Sequence, residues 1–526
     1  MRGLLATSIG VTCAAALALP LTSPATAAAV RPAPTAEAGA AATPDRPDTP
    51  NTTDAADTAD LPGSTQSLPL ISLTRDRALG SADQGLRRRD VHRFSLLGVI
   101  WDDPDAELHG RVQVRTRPAG GDAWSAWQDV ETHNADHGAD PGTAERTSGH
   151  VRGATAPLWV GDSDGVEVRV HPDTLSRTEE TGRGVRTRSA AAPLPAGMRL
   201  ELVDPGAPAP EHVPVAPRSR ALPPTRTTAL STAERAASAA NAPLTPLGAT
   251  EIPPLTREQT ERELLTPTDG KPQKNRKNTT QQTTTKTTTK TTKKTAPKKH
   301  QPKNQPKNQP KHQPQRQTTH QRANPYIGPR PSIVTRRGWG ADESMREAGF
   351  RYTTTVKAAF VHHTATGNNY TCAQAPSAIR SIYRYHVKSM GWRDIGYNFL
   401  IDKCGTIYEG RAGGVAKAVM GAHTLGFNSN SMGVAVLGTF TSAKPNSATV
   451  KAIARLTAWK LGVFGANPKA TTYLKSGGGN LYAKGKNVRL NVISGHRDGF
   501  ATECPGKQLY GKLGTARSTA ATYQGR

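Results

Sequence analysis

Two histidines and one cysteine in the last third of the chain have the residue types and spacing of a metal site. His362 and His496 each follow an apolar run that predicts a buried strand, and Cys504 comes eight residues after His496. A strand end holds a side chain rigidly, so both imidazoles could reach one point. Two imidazoles and a thiolate suit Zn²⁺ and leave a fourth position open for water. These residues suggest a hydrolytic site with one zinc ion per chain.

The elements around these residues alternate between strands and helices. Predicted strands are residues 357–362, 396–401, 406–409, 433–437 and 489–494, and predicted helices are residues 377–388 and 447–461. This order favours an α/β domain over residues 330–515, with a mixed central sheet flanked by helices.

Seven short motifs in this region occur in the order of a known family. They are FVHHTA, GWRDIGYNFLI, GTIYEGR, GAH, NSMGVAVLG, GHRD and TECPG. Together they resemble the type 2 N-acetylmuramoyl-L-alanine amidases, a superfamily that includes the peptidoglycan recognition proteins. The resemblance implies a zinc enzyme that hydrolyses the amide between the lactyl group of N-acetylmuramic acid and the L-alanine of the peptidoglycan stem peptide.

The resemblance also implies the roles of site residues. The zinc ligands are His362, His496 and Cys504. Tyr397 and Thr502 match the groups that hydrogen-bond the oxyanion of the tetrahedral intermediate, where one donor contributes a few kcal/mol. The leaving amine could take its proton from water with Tyr397, or from Glu503.

Six side chains are expected along the substrate groove: His363, His386, Glu409, Arg411, His423 and Asn430. His386 and His423 could equally be structural histidines, and Glu409 with Arg411 could be a surface ion pair. The resemblance further implies a disulfide between Cys372 and Cys404.

A non-catalytic peptidoglycan-binding module is the alternative function, because many relatives bind peptidoglycan without cutting it. Binding-only members lose a metal ligand, commonly the cysteine. Both histidines, the cysteine and Tyr397 are present in this chain, which favours catalysis.

The beginning of the chain has the layout of an export signal. One arginine precedes a short apolar run, and Ala-Thr-Ala at 25–27 resembles a cleavage site. Residues 1–28 are predicted to be a signal peptide, and residues 29–68 a disordered leader. No later run is apolar enough to span a membrane. We expect a secreted, extracellular or cell-wall-associated monomer.

Residues 70–205 carry short β-prone runs separated by turn residues. The runs are 92–101, 111–116, 123–130, 156–161, 166–170 and 198–203. They favour an all-β, sandwich-like domain. Its tryptophans at 101, 124, 127 and 159 could stack on carbohydrate, but core packing is the commoner use. A wall-binding adhesin role for this domain is a further alternative.

Residues 206–328 are predicted to be a long disordered linker, rich in Pro, Thr and Lys. Residues 271–322 hold fifteen Lys or Arg and no Asp or Glu, so they supply +15 of the net charge of +26. They contain no aromatic side chain that could stack on bases, and nucleic acid is not expected as a partner. Peptidoglycan is the expected partner, and the basic tract could either bind anionic cell-wall polymers or act as a spacer.

Overall fold

The computed structural model of the chain describes residues 63–73, 83–132, 134, 136–181, 184–207, 230–265 and 326–526. The predicted signal peptide, the leader up to residue 62 and the basic tract lie outside these residues. No helix within the described ranges is long and apolar enough to cross a membrane.

The first ten strands form a β-rich domain, as predicted. They are β1 (Thr65–Pro69), β2 (Ile71–Ser72), β3 (Gln84–Trp101), β4 (Gly110–Pro118), β5 (Gln128–Val130), β6 (Gly153–Ala154), β7 (Leu158–Pro172), β8 (Thr174–Thr181), β9 (Gly184–Ala191) and β10 (Arg199–Val203). Eight of them form one sheet in the order β1-β10-β3-β7-β4-β5, with β2 and β6 paired to β3, while β8 pairs with β9. The leader prediction is wrong for residues 65–68, because β1 begins there.

The long strand β3 bends this sheet around an apolar core. Its pairing with β7 shifts register three times between Leu86 and Leu96, and such irregularities bend a strand. Trp101 and Trp159 are buried, which agrees with core packing. Trp127 is half-buried under arginines and is therefore not a bare stacking surface, since the Arg169 guanidinium lies 4.0 Å from its ring centroid.

Part of the predicted linker folds onto the C-terminal domain. It contains α1 (Thr232–Ala239), β11 (Glu251–Ile252) and α2 (Arg257–Leu265). Ser231 and Glu234 form a capping box that begins α1, and β11 pairs with a strand of the C-terminal sheet. The linker prediction is wrong for residues 230–265, because the Pro- and Thr-rich composition concealed short elements that are stabilised by tertiary contacts.

The C-terminal domain is a mixed sheet with helices on both faces, as predicted. Its elements are β12 (Ile333–Val334), β13 (Ala358–His363), α3 (Ala375–Arg384), β14 (Phe399–Ile401), β15 (Ile407–Glu409), β16 (Ser431–Val436), α4 (Ser447–Val463), β17 (Thr471–Lys475), β18 (Asn487–Asn491), β19 (Ile493–Gly495), α5 (Lys507–Tyr510) and α6 (Leu513–Tyr523). The sheet order is β11-β12-β15-β14-β16-β13-β19, and β17 pairs with β18. The strand predicted at 489–494 is divided at Val492 into β18 and β19.

Alternation along β16 separates the two faces of this sheet. Val434 and Val436 belong to the core that contains α4 and α6, whereas Ala435 belongs to the core that contains α3. Successive side chains of a strand point to opposite faces, so the two cores lie on opposite sides.

The β-rich domain and the C-terminal domain share the second of these cores. Leu96 and Trp159 of the first domain belong to one buried cluster with Tyr385 and Tyr397 of the second. The Tyr385 hydroxyl also donates a hydrogen bond to the carbonyl of Thr155 at 3.1 Å. The described parts of both domains therefore form one packed body.

Candidate metal centre

Two parallel strands carry the predicted histidine ligands to the same edge of the sheet. β13 pairs with β19 so that Phe360 lies opposite Ser494 and Val361 opposite Gly495. His362 and His496 are the next residues along the chain, and their ring centroids are 4.4 Å apart. Both side chains are fully buried.

Cys504 lies beside His362, where a third ligand is needed. Its Sγ is 3.8 Å from Nδ1 of His362 and accepts a hydrogen bond from the backbone N–H of His363 at 3.4 Å. The backbone N–H of Arg497 donates to the carbonyl of Cys504 at 3.0 Å, which ties the cysteine loop to the turn that begins at His496. The structure brings all three predicted ligands together.

A fourth candidate ligand comes from the β-rich domain and was missed in the sequence. His137 lies between β5 and β6, with its ring centroid 4.6 Å from that of His496 and 5.3 Å from that of His362. One side-chain donor atom from each of His137, His362, His496 and Cys504 lies within 4.8 Å of the other three. The acidic neighbour Asp136 is the local feature that could have indicated His137.

The four residues fit a zinc ion. Nε2 of His137 and Nδ1 of His496 are buried with no hydrogen-bond partner among the residues described, although buried polar atoms ordinarily have one. Burial lowers the pKa of His362, and it lowers the pKa of His496 to about 3. Both imidazoles are therefore neutral near pH 7, as metal ligands must be. Burial raises the pKa of the Cys504 thiol, and a bound cation would stabilise its thiolate.

Asp136 contacts two of the candidate ligands. Its Oδ1 lies 3.0 Å from Nδ1 of His137, and its backbone carbonyl lies 3.1 Å from Nε2 of His496. Burial acts to raise the pKa of Asp136, but His137 and His496 outweigh it and the pKa is lowered. The ionised carboxylate can fix the ring orientation of His137, as acidic partners of metal-binding histidines do.

The two predicted oxyanion donors lie next to the cluster. The ring centroid of Tyr397 is 5.5 Å from that of His362, and burial raises the pKa of Tyr397, which keeps its hydroxyl protonated. The Thr502 hydroxyl accepts a hydrogen bond from the backbone N–H of Cys504 at 3.2 Å. Thr502 and Asp136 line the same small cavity.

The predicted groove histidines are buried around the cluster: His363, His386 and His423. Nδ1 of His423 lies 3.3 Å from Nε2 of His362. The ring centroid of His386 lies 5.7 Å from that of Tyr397. Nε2 of His363 lies 3.7 Å from the carboxylate of Glu131, a residue of the β-rich domain.

Glu409 and Arg411 do not pair with each other, so the predicted pairing is wrong. Glu409 is buried and accepts hydrogen bonds from the side-chain amide of Asn241 at 2.9 Å. Burial raises the pKa of Glu409 to about 7. Arg411 is also buried, and its guanidinium binds both carboxylate oxygens of Glu145 at 2.8 and 3.0 Å. Both partners come from segments whose contribution the local motif could not predict.

Asn430 lies at the wrong end of the sheet to shape the groove beside the cluster. Its carbonyl accepts the backbone N–H of Lys357, just before β13 begins. Because β13 and β16 are parallel, His362 is about 16 Å further along at a strand rise of about 3.3 Å per residue. Asn430 has a φ of 59° and forms a turn before β16. Asn428 is the neighbour of the site instead, because its side-chain oxygen accepts the N–H of His423 at 2.7 Å.

The predicted disulfide is confirmed. Cys372 and Cys404 are bonded, with their Cα atoms 6.2 Å apart. Cys504 is the free cysteine of the described residues, and it is buried among the candidate metal ligands.

The C-terminal domain matches the family described as N-acetylmuramoyl-L-alanine amidase over residues 352–507. Peptidoglycan-recognition protein SC2 of Drosophila simulans is 30% identical over 184 residues, which cover 35% of this chain and 85% of that protein. The chain belongs to the superfamily of type 2 amidases and peptidoglycan recognition proteins. Peptidoglycan-recognition protein SC1a of Drosophila melanogaster is 31% identical over 191 residues, which cover 36% of this chain and 87% of that protein.

The other comparisons concern the β-rich domain and solved structures. Residues 44–196 match the family described as Rv3811 N-terminal galactose-binding domain-like. A structure of peptidoglycan recognition protein-LE in complex with tracheal cytotoxin, a monomeric diaminopimelic acid-type peptidoglycan, is 28% identical. The match covers 35% of this chain and 92% of that chain, with a TM-score of 0.28.

Proposed function

We propose that this chain is a secreted, zinc-dependent N-acetylmuramoyl-L-alanine amidase. It hydrolyses the amide between the lactyl group of N-acetylmuramic acid and the L-alanine of the stem peptide. The observation that carries this proposal is the convergence of His362, His496 and Cys504 in one buried cluster beside Tyr397. Family membership supports peptidoglycan as the substrate.

The residues of the cluster divide the work of such a reaction. Zinc, when bound to His362, His496 and Cys504, would supply Lewis acidity and lower the pKa of a water molecule. Tyr397 keeps its proton because of burial, and it can donate to the oxyanion that develops on the amide carbonyl. Thr502 can supply a second donor to the same oxygen. Each donor of this kind lowers the activation barrier by roughly 3 kcal/mol.

The proton that the leaving amine needs has one supported source. Glu503 is exposed and pairs with Arg497 at 3.2 Å, outside the buried cluster. Tyr397 is buried and adjacent to the ligands. We therefore assign this proton to the attacking water, with Tyr397 as a hydrogen-bonding partner that keeps its own proton.

A non-catalytic recognition module is the second candidate function, and one observation favours it. His137 gives the cluster three imidazoles and one thiolate, and a complete set of four protein ligands is typical of structural zinc sites. A chain in that state would bind peptidoglycan without cutting it.

The two functions are distinguished by the products formed from purified peptidoglycan. The full chain and its His137→Ala variant are stripped of metal with a chelator and reloaded with Zn²⁺. Newly exposed amino groups of L-alanine are then labelled and quantified. If the chain is an amidase, zinc-dependent release of L-alanine amino groups is expected at least from the His137→Ala variant. Binding to peptidoglycan with no release by either protein would support the recognition module instead.

Two further variants control this assay. Cys504→Ser in the His137→Ala background should lose bound zinc and product release together, because a hydroxyl is a poorer zinc ligand than a thiolate. Asn430→Gly should keep both, because glycine accepts the positive φ of this turn and the residue lies far from the cluster.

A further inference from the structure

A segment of the β-rich domain, residues 136–147, lies across the cluster of candidate metal ligands. We name it the covering segment. Its Asp140 carboxylate accepts the N–H of Gly426 at 2.8 Å and the side-chain amide of Asn428 at 2.6 Å. The carbonyl of its Asp136 accepts the N–H of Leu425 at 2.9 Å. These contacts attach the segment to the loop before β16, on the site side of the sheet.

A second set of contacts attaches the covering segment further along. Its Glu145 makes the buried ion pair with Arg411 and also accepts the backbone N–H of Arg393 at 3.3 Å. Its Ala139 is buried in the shared apolar core with Trp392. A segment fixed at several buried points has a defined position, so the placement of His137 is not that of a loose surface loop.

His137 is oriented as a metal ligand within this segment. Nδ1 is held by Asp136 at 3.0 Å. Nε2 is buried among the candidate ligands, and no hydrogen-bond partner for it occurs in the described ranges. A carboxylate on one ring nitrogen with a metal on the other is the usual arrangement of metal-binding histidines. A buried imidazole nitrogen with no partner would otherwise be a net cost to folding.

We propose that the β-rich domain is an intramolecular inhibitor of the metal centre. In this proposal His137 is a fourth ligand that would take the place of the water molecule that attacks the amide. This inference rests on the proposed metal site. Catalytic zinc sites keep one position open, whereas four protein ligands close it. The covering segment also lies beside a residue of the proposed chemistry, because Asp136 and Thr502 line the same small cavity. Peptidoglycan and the covering segment therefore compete for the same groove, and activity requires displacement of the segment.

Cobalt spectroscopy tests the fourth ligand without relying on catalysis. The full chain is loaded with Co²⁺, whose visible spectrum depends on the number and type of its ligands. Azide is added as a small anion that binds an open coordination position. The wild-type spectrum should not respond to azide. The His137→Ala spectrum should shift in a saturable way, and its Co²⁺ affinity should fall by about tenfold or more.

Three companion variants complete the experiment. His92→Ala removes an exposed histidine of the same domain and should behave as the wild type. Asp140→Asn weakens the attachment to Gly426 and Asn428 and should make the spectrum partly sensitive to azide, which also covers the case in which His137→Ala does not fold. His362→Ala should abolish the thiolate-containing Co²⁺ spectrum.

The outcomes separate this inference from the function on which it rests. A wild-type spectrum that responds to azide as strongly as the His137→Ala spectrum would overturn the inference and leave the three-ligand site intact. Equal Co²⁺ spectra for wild type and His362→Ala would overturn the metal site itself. Faster release of L-alanine ends by His137→Ala than by wild type supports the inhibitory role, and slower release contradicts it.

Discussion

Glu145 of the β-rich domain and Arg411 of the C-terminal domain form a buried, two-pronged ion pair across 266 residues of sequence. Both side chains are only 6% exposed. Burial acts to raise the pKa of Glu145, but Arg411 outweighs it and the pKa is lowered. The carboxylate is therefore ionised at neutral pH, and each charge depends on the other for its solvation.

Replacing Glu145 by glutamine should destabilise the protein strongly. The change leaves the buried guanidinium of Arg411 without its counter-charge, and such losses cost roughly 3–5 kcal/mol. Urea denaturation should report that decrease in the free energy of unfolding. Asp129→Asn is the matched control, because its ion pair with Arg111 is well exposed and should matter little. Equal decreases in the free energy of unfolding for the two variants would show that burial does not make the Glu145–Arg411 pair more important than the exposed pair.

The shared core predicts that the two domains unfold together. Trp159→Ala removes a buried indole from the cluster that also contains Tyr385 of the C-terminal domain, and such truncations cost roughly 3–5 kcal/mol. Hydrogen exchange should accelerate in β13 of the C-terminal domain as well as in β7. Trp127→Ala lies outside the shared core, so its effect should stay within the β-rich domain. Faster exchange confined to β7 in the Trp159 variant would show independent domains.

The main strands and helices around the site were predictable because their signals are local. The strands β13 and β16 are short apolar runs, and α4 carries apolar residues at helical spacing from Val450 onward. The motifs place His362 and His496 at the ends of two strands, but the parallel pairing of β13 and β19 was not predicted. Periodicity and motif order were sufficient for these elements, whereas β12, β17, α5 and α6 were not predicted.

The contribution of the β-rich domain to the site was not predictable in this way. Asp136 and His496 are 360 positions apart, and no period or motif connects them. Asn241 reaches Glu409 from a segment whose composition favours disorder. Both contacts depend on how separately recognised segments pack together, which a single sequence does not encode in any local pattern.

Removing the disulfide should lower stability without affecting the metal site. The Cys372–Cys404 bond closes a loop with a sequence separation of 32, for which the chain-entropy model gives roughly 3–4 kcal/mol. The double variant Cys372→Ala, Cys404→Ala should lose about that amount in thermal or urea unfolding. Its Zn²⁺ affinity should match the wild type, whereas Cys504→Ser should show the opposite pattern. A fall in Zn²⁺ affinity in the double variant would mean that the disulfide helps to position the ligands.

Because Lys460 is buried, we expect the free energy of unfolding to rise above neutral pH. Its ammonium lies in the core of the C-terminal domain, where it donates to the carbonyls of Val415 and Lys417. Burial lowers its pKa from 10.5 to about 7, opposed by the nearby Glu409. Between these values the unfolded chain binds more protons than the folded chain, so the free energy of unfolding increases with pH. The increase should be about 2 kcal/mol from pH 7 to pH 9.

Lys460→Met should remove this increase in urea titrations at the two pH values, while Lys451→Met, on the exposed face of α4, should retain it. An unchanged pH dependence in Lys460→Met would mean that the ammonium stays charged in the folded protein, solvated by those two carbonyls.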